Sequence, residues 1–205
     1  MKFDIITKNN CTIGIVDDVL TNREIEEVWK ELDFLSVQRK MMSAEFTGSA
    51  QTTDKSLKKQ NWGVALSKCF TDPIYSNFAQ YHEKPLTDDF VEDLIEANLY
   101  FRLLRDCNYK SILLSYYEHE NYYHSHHDVC CLTTLFWFNK SPKQFKGGDI
   151  YFKDMDQTVS FKNNRFIIFP SIYFHEVSKV SMDNNFRDNG ISQKGRYCYT
   201  TFYKH

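Results

Sequence analysis

Missing from this sequence of 205 residues is any apolar run approaching the length of a membrane span, which excludes a helical transmembrane segment. The start, Met1-Lys2-Phe3-Asp4, lacks the apolar stretch of a secretory leader, so a cytoplasmic location is expected. An excess of charge of one sign is missing too. The formal net charge is −2, with acids and bases mixed along the chain. No basic stripe matches a phosphate backbone, so no nucleic-acid partner is expected. Six cysteines occur without a C-x-x-C pair. Adjacent Cys130 and Cys131 would face opposite sides of a strand, which argues against a disulfide framework and for reduced, intracellular thiols. No repeat, low-complexity tract or linker divides the chain, so residues 1–205 are read as one domain with enough length to bury a core.

Phe and Tyr, by contrast, are abundant, at 17 and 13 residues. Aromatic and β-branched residues favour strands, and the expected fold is mainly β with flanking helices. Thr12–Val16 reads as a strand. Thr21 and Glu24 then form a capping box, with Ile25, Val28, Trp29 and Leu32 at helical spacing behind it. A second helix is expected over Leu86–Asn98, with Thr87 as its N-cap. Ser43–Asn61 is poor in large apolar groups and reads as a loop, or as a lid over a site. From Ser111 onwards short runs alternate with turns: Ser111–Tyr117, Val129–Phe138, Asp149–Lys153, Thr158–Phe161, Arg165–Phe169, Glu176–Val180 and Arg196–Tyr203. Lys162-Asn163-Asn164 signals a hairpin, and Gly147-Gly148 opens a strand. Such spacing suggests a sandwich, jelly roll or barrel over 111–205, supported by strand and helices in 1–110.

Five of the seven histidines lie between His119 and His175. Residues two apart on a strand face the same side, so His124, His126 and Asp128 are expected to share a face. His126-x-Asp128 offers an imidazole and a carboxylate. His175 follows an apolar strand and a Pro-Ser turn, where a polar imidazole needs an explanation, and is the best third ligand. Two His and one carboxylate on one face of an octahedron leave three positions open, the arrangement of non-haem Fe(II) oxygenases. Those positions accept a bidentate 2-oxo acid and O2. A cation must hold the acid's far carboxylate, and the planar fork of Arg196, at the head of the last strand, suits it. Thr200 on the same strand face and Tyr117 on an earlier strand are further candidate donors.

At these residues the chain resembles the Fe(II)/2-oxoglutarate oxygenases of the prolyl 4-hydroxylase type, from about Ser111 to His205. The motifs stand here as Tyr117-x5-Tyr123-x2-His126-x-Asp128, Gly147-Gly148-Asp149-Ile150-Tyr151-Phe152, Arg165–Ser171 leading to His175-Glu176-Val177, and Gly195-Arg196-Tyr197. Ile13–Leu20 is similar to the family's N-terminal strand and helix start. The resemblance implies a double-stranded β-helix (jelly-roll) core with Fe(II) at its open end. It implies 2-oxoglutarate and O2 as cosubstrates, ascorbate as a supporting reductant, and release of succinate and CO2 as a substrate C–H is hydroxylated. The implied substrate is a prolyl residue of a peptide or protein, with a free amino acid or other small molecule as the alternative. The chain departs from the family in two places. An insert at Ser181–Gly190 lengthens the gap from His175 to Arg196 and brings a rival arginine, Arg187. Trp137 stands where some relatives carry a Tyr that contacts 2-oxoglutarate.

Other readings fit less well. His124-x-His126-x-Asp128 lacks the final His of the metallo-β-lactamase signature and lies in an all-β region. A cupin would place a Glu soon after His124-Ser125-His126, and none follows within reach. A halogenase would replace Asp128 by a small residue. A non-catalytic, cupin-like jelly-roll binding module explains the strands but not the coincidence of His126, Asp128, His175 and Arg196. Each remaining histidine is more simply structural or solvated. Lys58, Lys59 and Trp62 are candidates for touching substrate. The sequence is silent on oligomeric state.

Overall fold

The apolar runs of the second half become strands because they are wanted on both faces. The run Leu132–Phe138 is buried at every position, as a strand between two packed layers must be. The computed structural model describes residues 1–37, 40–48, 55–182 and 191–205. Its strands, among those residues, are β1 (Lys2–Lys8), β2 (Cys11–Asp17), β3 (Met42–Ser43), β4 (Lys59–Gln60), β5 (Trp62–Ala65), β6 (Tyr109–Tyr117), β7 (Tyr122–His126), β8 (Leu132–Phe138), β9 (Ile150–Phe152), β10 (Gln157–Val159), β11 (Arg165–Pro170), β12 (His175–Val177) and β13 (Arg196–Lys204). The α-helices are α1 (Asn22–Val37), α2 (Asn77–Tyr81), α3 (Asp88–Ala97) and α4 (Leu103–Asp106).

The strands form a large sheet in the order β1-β2-β11-β8-β13-β6-β5-β3 and a small one in the order β10-β9-β12-β7-β4. All of their pairings are antiparallel. Ile15, Leu135, Ile167 and Phe169 of the large sheet meet Ile150 and Phe152 of the small one in a shared core. The other face of the large sheet carries Phe136, Tyr197 and Tyr199 against Val28, Leu32, Phe90 and Leu94 of the helices. This is the layered β-sandwich with helical cover that the sequence pattern implied, with a jelly-roll arrangement of sheets.

The helix starts behave as read. The Thr21 N–H donates to Glu24 Oε2 at 2.7 Å and the Glu24 N–H returns to Thr21 Oγ1 at 3.4 Å, which is the capping box. Thr87 Oγ1 accepts from the Phe90 N–H at 3.3 Å. α3 crosses β2 at Gly14, where a Cβ would lie 2.8 Å from both Leu94 Cδ2 and Phe90 Cζ. The missing side chain is what lets this helix sit so close to the sheet.

Three expectations are corrected. β1 was not foreseen; Asn9 and Asn10, at φ 54° and 60°, make the tight turn that pairs it with β2, and this Asn-Asn dipeptide was the available signal. The stretch read as a loop or lid contributes β3 and β4; its residues 49–54 lie outside the described residues, as do residues 183–190 of the insert, Arg187 included. The Lys162-Asn163-Asn164 turn does not close a hairpin. β10 pairs with β9 and β11 with β2 and β8, so the turn carries the chain between sheets. Asn164 (φ 59°) fixes the crossing, its amide accepting from the Leu20 N–H at 2.9 Å and donating to the Leu20 carbonyl at 2.8 Å. Sequence distance hid that partner. No helix among the described residues is long and apolar enough to cross a membrane.

Leu94 is fully buried between α3 and the sheet. Leu94→Ala is expected to cost about 2–4 kcal/mol in urea unfolding, while Glu96→Ala on the exposed face of the same helix should stay within about 0.5 kcal/mol.

Candidate active site

The last residue of β7 and the first of β12 are register partners, and both are histidines, His126 and His175. Each ring is held by the carbonyl two residues before it. Nδ1 of His126 lies 2.9 Å from the His124 carbonyl and Nδ1 of His175 lies 2.9 Å from the Tyr173 carbonyl. A carbonyl oxygen only accepts, so each Nδ1 carries the proton and each Nε2 keeps its lone pair. The two Nε2 atoms face Asp128, at 3.8 Å from Oδ1 and 3.7 Å from Oδ2. Ligand atoms of all three side chains lie within 4.8 Å of one another.

Asp128 sits two residues beyond β7 and is fixed from the neighbouring turn. Its N–H donates to the Ser171 carbonyl at 3.0 Å, and the Thr133 hydroxyl donates to Oδ2 at 2.7 Å. Thr133 Oγ1 is in turn 2.8 Å from Ser171 Oγ. Burial, reinforced by the neighbouring His175, pushes His126 down to about 3. The imidazole is therefore neutral across physiological pH, the form in which it binds metals. Two imidazoles and a carboxylate on one wall suit Fe(II) better than a structural zinc site, which would be closed by a fourth protein ligand.

His124 does not share this face, contrary to strand alternation. His175 pairs with His126 but Val177 pairs with Tyr123, so three steps on β7 oppose two on β12. The extra residue is a β-bulge, and a bulge breaks the period of two. It leaves His124 exposed beside Tyr122 and turns Tyr123 inward, its ring stacked on His126 with centroids 3.5 Å apart. His127 is exposed as well.

Across the cavity stands Arg196, only 1% exposed, on β13 of the large sheet. Its guanidinium lies over the rings of Tyr117, Trp137 and Phe161, with centroids 4.9, 5.1 and 5.7 Å away. Ring faces stabilise the charge but accept no strong hydrogen bond. No described residue accepts from Nε, Nη1 or Nη2. A buried guanidinium without acceptors costs several kcal/mol, more than three ring contacts return, so the site is built for an anion. Gly148, at φ 73°, makes room: a Cβ there would lie 2.7 Å from Arg196 Cδ.

The cavity between triad and guanidinium measures about 80 Å³, and Tyr117 and Thr200 line it as expected. Arg196, Cys198, Thr200 and Phe202 all face it, the period-two reading that did hold on unbulged β13. Trp137, which departs from the family pattern, is absent from the lining and lies under the Arg196 guanidinium instead. Of the residues considered for substrate contact, Lys59 lines the cavity and is 4% exposed, whereas Trp62 is 39% exposed and the Lys58 ammonium donates to the Ser125 carbonyl at 3.3 Å. Burial lowers the Lys59 ammonium to about 8, with Asp128 pulling the other way. Thr133, Ser171 and Phe161 were not picked out from the sequence, because their roles arise from contacts between distant turns.

Residues 112–204 match the model of the 2OG-Fe(II) oxygenase superfamily. The matched segment runs from within β6 to the end of β13, a little under half of the chain. Among solved structures, the chain is similar to a Pseudomonas putida prolyl-4-hydroxylase, with TM-score 0.61 and 12% identity over 94% of this chain and 92% of that one. It is also similar to a 2OG-Fe(II) oxygenase family oxidoreductase from Burkholderia pseudomallei, with TM-score 0.56 and 8% identity over 94% and 84% of the two chains. NgTET1 in complex with 5mC DNA aligns at TM-score 0.50 and 14% identity, over 96% and 74%. At such identities the likeness carries the fold, not the substrate. No curated protein sequence matches the chain significantly.

Since Thr133 is the only described side chain that hydrogen-bonds Asp128, Thr133→Val should weaken Fe(II) or Mn(II) binding about tenfold in anaerobic titration while the unfolding midpoint changes little.

Proposed function

We propose that this protein is an oxygenase that uses Fe(II), 2-oxoglutarate and O2 to hydroxylate a substrate C–H, releasing succinate and CO2, with ascorbate as a supporting reductant. The observation that carries the reading is the pairing, across one cavity, of an open-faced His-Asp-His set with a buried guanidinium that has no acceptor. In this reading His126, Asp128 and His175 hold the metal, which supplies the redox chemistry that couples decarboxylation of the cosubstrate to oxidation of the substrate. Arg196 binds the distal carboxylate of 2-oxoglutarate through its planar fork, and Tyr117 and Thr200 offer hydroxyls beside it. Burial raises the Tyr117 phenol well above its ordinary value, so it stays a neutral donor. The rings around Arg196 keep water from the ion pair and strengthen it.

The whole chain 1–205 is read as one working unit, with 1–110 bracing the core 111–205. A prolyl residue of a peptide or protein is the leading substrate, supported by the prolyl 4-hydroxylase-type motifs and fold. A fold shared with a protein bound to DNA does not by itself separate peptide from nucleic-acid substrates, and the mixed surface charge favours the former. A free amino acid or other small molecule is the second reading, and the buried cation Lys59 favours it.

Anaerobic addition of Fe(II) and 2-oxoglutarate should produce the weak visible charge-transfer band of a chelated 2-oxo acid. A protein that binds Fe(II) yet shows no band would overturn the proposal. Asp128→Ala should abolish the band and succinate release with the fold intact by circular dichroism. Arg196→Ala should raise the 2-oxoglutarate needed for half-maximal band by at least about a hundredfold; if Arg187→Ala does so instead, the anchor is misassigned.

A further inference from the structure

The cavity holds a second cation besides Arg196. Lys59 belongs to β4, the edge strand of the small sheet, and pairs with Tyr123 on β7. Its Nζ lies 5.5 Å from the centroid of the Tyr123 ring, which is itself stacked on His126. The side chain is therefore one ring away from the metal-ligand trio, on the sheet opposite Arg196. Its one described hydrogen bond is long, 3.4 Å to the Thr47 carbonyl. A lysine 96% buried is rare without an acid partner, and no salt bridge among the described residues includes it. Strand alternation sends Asn61 inward with it, leaving Gln60 exposed and Trp62 largely so. The Asn61 amide is buried beside the Tyr117 phenol, and its Oδ1 and Nδ2 have no hydrogen-bond partner of good geometry.

Charge balance gives these groups a purpose. Asp128 is the only acid among the described residues lining the cavity, and Lys59 and Arg196 are its only lysine and arginine. Burial keeps Tyr117 and Cys198 in their neutral forms. A bound Fe(II), Lys59 and Arg196 bring four positive charges against the single carboxylate of Asp128. The two carboxylates of 2-oxoglutarate leave one positive charge over. In a dry cavity an uncompensated charge is costly, so a further anion is called for when the site is loaded.

We propose that Lys59 binds a carboxylate of the substrate, so that the enzyme acts on a free amino acid or on a residue at a chain end. This rests on the reading of the site as an Fe(II)/2-oxoglutarate centre and specifies its substrate class. The two sources share one chemistry, an α-carboxylate within reach of the metal. An internal prolyl residue, flanked by neutral amides, lacks it. The lysine is a point charge with rotatable donors, able to hold a carboxylate while the rest of the substrate turns its C–H towards the metal.

The test uses the full-length protein loaded anaerobically with Fe(II) and 2-oxoglutarate, and follows the visible band as probes are added. The probes are the twenty free L-amino acids, their carboxamides, and two Gly-Pro dipeptides, one with a free C-terminus and one amidated. At least one free acid should shift the band, its carboxamide should need at least about tenfold higher concentration, and Lys59→Met should erase that difference. Lys59→Arg should restore part of it. A response to the free-ended dipeptide but to no amino acid assigns the chain-end source. The proposal is overturned if carboxamides match their acids, if no probe with a free carboxylate shifts the band, or if Lys59→Met instead raises the 2-oxoglutarate requirement tenfold, which would assign the lysine to the cosubstrate. Absence of the band before any probe is added is a different result, and it would overturn the Fe(II)/2-oxoglutarate reading itself.

Discussion

The antiparallel pairing of β7 with β12 places two imidazoles from separate segments of the chain side by side, and the rest of the site is arranged around that contact. His126 ends one strand, His175 begins the other, and each spends its Nδ1 proton on the carbonyl two residues earlier. With those protons committed, both lone pairs point to the same place. Asp128 reaches it only because the turn after β7 is tied to Ser171, next to the β12 histidine. Ladder and turns together set the positions of three donors from two separate segments.

The two sheets divide the labour. The small sheet carries the imidazoles and Lys59, while the large sheet carries Arg196 with Thr200 along β13. The helices on the far face of the large sheet brace β13 through Tyr197 and Tyr199, whose hydroxyls meet Ser36 and Glu31 at 2.9 and 2.7 Å. A tight aromatic contact, Phe78 stacked on Tyr199 at 3.7 Å, joins the same brace. Packing remote from the cavity thus fixes the strand on which the guanidinium stands.

Arg196 shows how an apolar surround serves an ionic task. Three rings hold the guanidinium in place without satisfying its donors, which leaves all three nitrogens without an acceptor among the described residues. Gly148 contributes by absence, since a side chain there would occupy the space of the arginine stem. Gly148, legible in the sequence as part of a turn opening a strand, is a spatial requirement of the arginine's seat.

Sequence alone determined the residue types, their order and the periodicities. Those were enough for the helix caps at Thr21 and Thr87, for most strands after Ser111, and for His126, Asp128, His175 and Arg196 as the chemistry to bring together. They sufficed because caps, alternation and metal-ligand chemistry are local or compositional. Tertiary structure decided what depends on a partner far along the chain. It decided the bulge that expels His124 and admits Tyr123, the crossing of Asn164 between sheets, and the burial of Lys59 and Asn61 on an edge strand too short to show a period. A period of two cannot announce its own interruption, and a lysine's exposure is a property of its neighbours, which only the folded chain supplies.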